Sequence, residues 1–83
     1  MRGQKEASQL REKFGTRIRS LRSAHGFTQE QLAERAGISV DFLSLIERGK
    51  NAPSFGNLDE LADALEVSVA NLFSFEGGSI EAE

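Results

Sequence analysis

The tightest constraint in this 83-residue chain is the stretch 29–48, QEQLAERAGISVDFLSLIER. Two apolar patterns of helical period meet there with about three residues between them, so two helices must turn a short corner and cross steeply. Such a corner needs a residue with positive φ, and Gly37 adopts one without the penalty a Cβ carries. The closest approach of the two helices needs a small side chain, which is Ala33. Leu32, Ala36, Ile38, Leu43 and Ile46 supply the aliphatic interior. Thr28 and Ser39 stand where N-caps are needed, stapled by Phe27 with Leu32 and by Ile38 with Leu43, and Gln31 completes a capping box with Thr28. Each demand is common alone. All of them at this spacing specify more than a generic corner of a small bundle.

The same grammar extends along the chain. Leu10, Phe14, Ile18 and Leu21 recur on one face of a first helix that stops at His25-Gly26. Ser54, after Pro53, caps a helix whose inner face is Leu58, Leu61, Ala62 and Leu65; Ser68, stapled by Val67 and Leu72, caps a last one. The spacing predicts helices at 9–25, 28–36, 39–48, 54–65 and 68–74, an all-α five-helix domain over 9–75. Residues 1–8 read as a flexible N-terminal tail and 76–83 as a flexible acidic C-terminal tail.

Composition narrows the function classes. With no cysteine, disulfides and thiolate metal sites are excluded and a cytoplasmic setting is expected. No run approaches the roughly 18 apolar residues of a membrane span, and the first ten residues carry no signal-peptide core, so no membrane partner is expected. The single histidine, His25, has no cysteine and no evident carboxylate partner, so neither a nucleophilic triad nor a metal site is expected: not an enzyme, with no cofactor and no metal. The net charge of −3 hides an asymmetry. Residues 1–50 hold ten basic against six acidic groups, a net of +4, and residues 51–83 hold seven acids and no base. This is either a set of solvated helix faces or the mark of an anionic partner on one side.

The stretches IRSLR, GFTQEQLAERAGIS, LIERGKNAPSF and LADALEVSVANLF, from about Phe14 to Phe73, resemble the helix-turn-helix family of phage repressors, Cro-like and xenobiotic-response-element-type regulators. The resemblance implies a lambda-repressor-like domain that binds double-stranded operator DNA as a homodimer, with helix 39–48 in the major groove of a palindrome. It also implies a transcriptional regulator, in which Gln29 reaches a phosphate or a base near the groove edge. Thr28, at the same helix N-terminus, suits a phosphate, or is a cap only.

Val40, Asp41, Ser44 and Leu45 occupy the base-reading positions of the second helix. None is a bidentate reader of the Arg, Gln or Asn kind. Asp41 suits cytosine N4, Val40 and Leu45 suit a thymine methyl, and Ser44 pairs with several edges. Alternatively this face serves another partner. Arg48, Lys50 and Asn51 in the following loop, with Arg17 and Arg22 on the first helix, are the expected phosphate contacts, or solvated cations. The resemblance further implies an ion pair between Arg22 and Glu47. Val69, Phe73 and Phe75 carry more apolar surface than a short terminal helix buries, and are the expected dimer interface, or part of the core. A competing class is a protein-interaction module, an antitoxin-like subunit that holds a toxin-like or other second protein.

Overall fold

Three of the helices begin where a hydroxyl stands in the sequence. The computed structural model describes the backbone of residues 2–75 and the side chains of residues 9–75. Four α-helices, α1 (Arg2–Ala24), α2 (Gln29–Ala36), α3 (Val40–Glu47) and α4 (Phe55–Leu65), precede a single 3₁₀ turn at Ala70–Phe73. Thr28 Oγ1 accepts from Gln31 N at 3.1 Å while Gln31 Oε1 accepts from Thr28 N at 2.9 Å, closing the capping box of α2. Ser39 Oγ accepts from Phe42 N at 3.0 Å to start α3. Ser54 and Asn57 form a second reciprocal box at the start of α4. Each such cap is worth about 1 kcal/mol over alanine.

The corner between α2 and α3 turns at Gly37, with φ 71° and ψ 29°. A Cβ there would meet nothing within 4 Å, so only the left-handed backbone, not crowding, requires glycine. Ile38 N then donates to Ala33 O at 3.0 Å, which sends the chain into α3.

The core is contiguous. Phe14 and Ile18 from α1, Leu32, Ala33 and Ala36 from α2, Leu43 and Ile46 from α3, Leu61, Ala62 and Leu65 from α4, and Leu72 from the 3₁₀ turn are all buried. α1 lies directly on the end of α3 because Gly15 has no side chain. A Cβ at Gly15 would stand 2.3 Å from the Ile46 carbonyl oxygen and 2.7 Å from that of Glu47. This backbone contact carries the next turns of α1 over the end of α3.

Three expectations change. The first helix begins at Arg2, not near residue 9, so residues 2–8, expected as a loose tail, continue it. Gln, Lys, Glu and Ala in this stretch are strong helix formers, and elongating an existing helix adds one hydrogen bond per residue fixed. Leu10, expected on the core face, is 48% exposed. It sits with Phe14, Phe55, Leu58 and Phe73 around an apolar hollow of about 220 Å³. The fifth element is a four-residue 3₁₀ turn, so the described residues hold four α-helices. Ser68 Oγ still accepts from Asn71 N at 3.1 Å, but the Asn71 carbonyl accepts from Ser74 N at 3.2 Å and from Arg17 Nε at 3.0 Å. That i→i+3 closure, with Leu72 anchored in the core, is the short-range pattern of a 3₁₀ turn. The expected acidic tail, 76–83, lies outside the described residues. No described helix is long and apolar enough to cross a membrane.

Candidate nucleic-acid interface

α3 is amphipathic across its width. Leu43 and Ile46 are fully buried, Val40, Phe42, Ser44 and Leu45 are half-buried, and Asp41 is exposed. Val40 and Phe42 pack partly against the core, so Asp41, Ser44 and Leu45 form most of the free face. Beyond the helix, Arg48, Lys50 and Asn51 are all exposed. Arg48 Nε lies 3.4 Å from the Ser44 carbonyl, against the helix it follows, and Asn51 Oδ1 accepts from Ala52 N at 2.9 Å. Val40, Asp41, Ser44 and Leu45 and the loop residues Arg48, Lys50 and Asn51 are therefore gathered on α3 and its C-terminal extension, while Gln29 stands at the start of α2.

What holds α3 at its angle is one acid. Glu47 is 4% exposed, and the other buried residues among those described are apolar. Its carboxylate takes Arg22 in a two-point grip, Nε to Oε2 at 2.6 Å and Nη2 to Oε1 at 3.0 Å. Arg22 Nη1 also donates to the Phe27 carbonyl at 3.0 Å. The hydrogen bond to Glu47 raises the Arg22 pKa, against the lowering effect of burial, with the negative charges of Glu47 and Glu30 adding to the rise. Two parallel charge-assisted bonds fix orientation as well as distance. The ion pair implied at the outset is thus present. Together with the Phe27 carbonyl it engages all three guanidinium nitrogens of a side chain only 15% exposed. Arg22 acts here as the strut between α1 and α3, with little left to offer a phosphate.

Gln29 joins the same centre. Its Nε2 donates to Glu47 Oε1 at 3.0 Å. A carboxylate only accepts, so the amide must turn its NH₂ inward, leaving Oε1 and the second N–H for an outside partner. Thr28 has its backbone N–H and its hydroxyl acceptor engaged in the capping box. Arg17, half-buried, is drawn to the Asn71 carbonyl on the 3₁₀ turn and so braces that turn to α1. Of the expected dimer residues, Val69, Phe73 and Phe75 are each half-buried against the core. Phe73 packs on Phe14 at a ring-centroid separation of 5.0 Å and on Phe75 at 6.2 Å.

Sequence reasoning missed three contributors. Arg19 approaches Glu47 Oε1 at 3.8 Å with its side chain 56% exposed. His25 Nε2 bonds the Leu65 carbonyl at 2.8 Å, at the end of α4 and 40 positions away, and its ring stacks on Phe27. Phe55, the first residue of α4, is 89% exposed. The spacing of Arg19 and Arg22, one helical turn apart, is the signal that could have placed both near one carboxylate. Nothing local marks the His25 contact.

The geometry agrees with the similarities of the chain. A family model described as Helix-turn-helix matches residues 18–72, from the last third of α1 into the 3₁₀ turn. The HTH-type transcriptional regulator YazB of Bacillus subtilis is 44% identical over 59 residues, which are 71% of this chain and 86% of that protein. The immunity repressor protein of Bacillus phage phi105 is 39% identical over 62 residues, 75% of this chain and 43% of that protein. Among solved structures, the restriction-modification controller protein C.AhdI from Aeromonas hydrophila superposes with a TM-score of 0.74 at 40% identity, covering 76% of this chain and 96% of that one. The clp gene regulator ClgR from Corynebacterium glutamicum superposes with a TM-score of 0.78 at 37% identity, covering 88% and 78%. The matched span contains the whole corner, the two helices that meet at it and both members of the Arg22–Glu47 pair, and the chain belongs to the helix-turn-helix family, alongside HTH-type transcriptional regulators and phage repressors.

Proposed function

We propose that the chain is a sequence-specific, double-stranded DNA-binding transcriptional regulator that works as a homodimer, with α3 of each copy in the major groove of a palindromic operator. The observation that carries this reading is the free face of α3, Asp41 with Ser44 and Leu45, on a helix locked in place by a buried carboxylate. The exposed cations Arg48 and Lys50 stand directly beyond its end. Base edges then meet Asp41, Ser44, Leu45 and the outer part of Val40, with Gln29 at the groove edge; phosphates meet Lys50, Arg48, Asn51 and the Thr28 terminus. A single short helix offers few base contacts, and a two-fold pair doubles them at half-sites one duplex turn apart. The half-buried Val69, Phe73 and Phe75 are the surface proposed for that pairing. The acids Asp59, Glu60, Asp63 and Glu66 are all exposed on or just after α4, away in sequence from the cationic elements. The low pI of about 5.2 therefore does not set the sign of the binding face.

Selection of random duplexes by the purified protein tests the proposal. A palindrome should be enriched, Asp41→Ala should change preference at one symmetric pair of positions, and Lys50→Ala should weaken every sequence alike. Failure to enrich any duplex, or binding insensitive to salt, refutes it.

A further inference from the structure

We propose that Arg19, which none of the sequence patterns single out, is a phosphate-binding residue of the DNA interface, and that Glu47 is the positioning residue that sets it beside Gln29. The inference rests on the DNA-binding reading above and adds a site on α1 to it.

Glu47 Oε1 is the shared point. It accepts from Gln29 Nε2 at 3.0 Å and from Arg22 Nη2 at 3.0 Å, and stands 3.8 Å from Arg19 Nε. The two bonds from Arg22 and the one from Gln29 occupy this buried carboxylate, and at 3.8 Å the approach of Arg19 is a Coulombic contact, not a hydrogen bond. Among the described residues Arg19 makes no hydrogen bond, so its whole set of donors is available, on a side chain 56% exposed. It is nevertheless not a freely roaming cation. The field of Glu47 holds it at the junction of α1, α2 and α3, next to the first residue of α2.

The charge count at this junction favours an anion. Two guanidinium groups, Arg19 and Arg22, face one buried carboxylate; the other acid whose charge is felt by Arg22 is Glu30, which is exposed to water. Every nitrogen of Arg22 is already hydrogen-bonded, on a side chain 15% exposed against 56% for Arg19, so the positive charge left over is presented chiefly through Arg19. Beside it Gln29 keeps one N–H after its inward bond to Glu47. A fork of guanidinium donors with a neighbouring amide donor matches the oxygens of a backbone phosphate diester, and carries no base preference.

The test is duplex affinity as a function of salt for the full chain, wild type against Arg19→Gln, Arg19→Lys and Lys50→Ala, each on operator and on unrelated duplex, with urea unfolding measured in parallel. Arg19→Gln should lower the salt slope by about 0.9 and weaken both duplexes by the same factor. Arg19→Lys should restore the slope, and the unfolding midpoint should stay where it was. An unchanged slope in Arg19→Gln overturns the proposal. So does a changed midpoint with unchanged affinity, which would make Arg19 only a further prop for Glu47. A wild-type protein with no salt-dependent duplex binding would instead sink the DNA reading itself, while loss of slope in Lys50→Ala alone would leave that reading standing and remove only Arg19 from it.

Discussion

Replacing Glu47 by alanine is the sharpest test of what holds α3 in place. The side chain is wholly buried and accepts three hydrogen bonds, two from Arg22 and one from Gln29. Its removal leaves the Arg22 guanidinium with the Phe27 carbonyl alone, in a position only 15% exposed. Breaking a fully buried pair from one side costs about 3–5 kcal/mol. Because Arg22 retains one partner and some access to water, the expected loss is about 2–4 kcal/mol. A domain of this size has roughly 5–15 kcal/mol in total, and the thermal midpoint should fall by about 8–32 °C. The double replacement Arg22→Met/Glu47→Leu removes both charges together. It should destabilise less than the sum of the single changes, with a coupling of at least about 1.5 kcal/mol. With no tryptophan or tyrosine in the chain, urea unfolding followed by far-ultraviolet circular dichroism is the suitable assay. Protein concentration must be fixed, because self-association would add to apparent stability. A Glu47→Ala loss below about 1 kcal/mol, or a strictly additive cycle, would refute the argument that this buried pair is the strut. The raised pKa of Arg22 sets the sign of its pH dependence. The stabilisation it contributes is present at neutral pH and, on the alkaline side, is lost only at strongly alkaline pH.

Two further outcomes follow from backbone geometry. Gly15→Ala should cost about 2–3 kcal/mol, because its Cβ meets backbone carbonyl oxygens of α3 that cannot rotate away, whereas Gly37→Ala, facing open space, should cost only about 1 kcal/mol for the left-handed backbone; equal losses in urea unfolding would contradict that distinction. Thr28→Ala should lose about 1 kcal/mol through the cap of α2, and Thr28→Ser, which keeps the hydroxyl, should lose much less by the same measurement.

Where contacts are local, the sequence alone was enough. Thr28, Ser39 and Ser54 cap the three helices as their positions predict, and Gly37 takes the left-handed turn, because a cap or a turn joins residues within a few positions of each other. The alternation of aliphatic residues likewise marked nearly all of the core, Leu10 being the exception. It was also enough to gather Asp41, Ser44, Leu45, Arg48 and Lys50 on one element and its extension, since a single helix and the loop after it set their spacing.

Only the tertiary structure decided how the helices are joined to one another. Glu47 meets Arg22, Gln29 and Arg19 across 25, 18 and 28 positions, and it is that meeting which turns Gln29 inward, withdraws Arg22 from the surface and leaves Arg19 at it. Gly15 looks like a defect in α1 until the end of α3 is laid against it. The last turn is tied to α1 through the Asn71 carbonyl, which it shares with Arg17, 54 positions earlier. Propensity and period act along the chain, whereas close approach and the sharing of a buried charge depend on which distant segments packing brings together. Pattern therefore decided where the helices lie, and packing decided which of their polar groups remain free to bind.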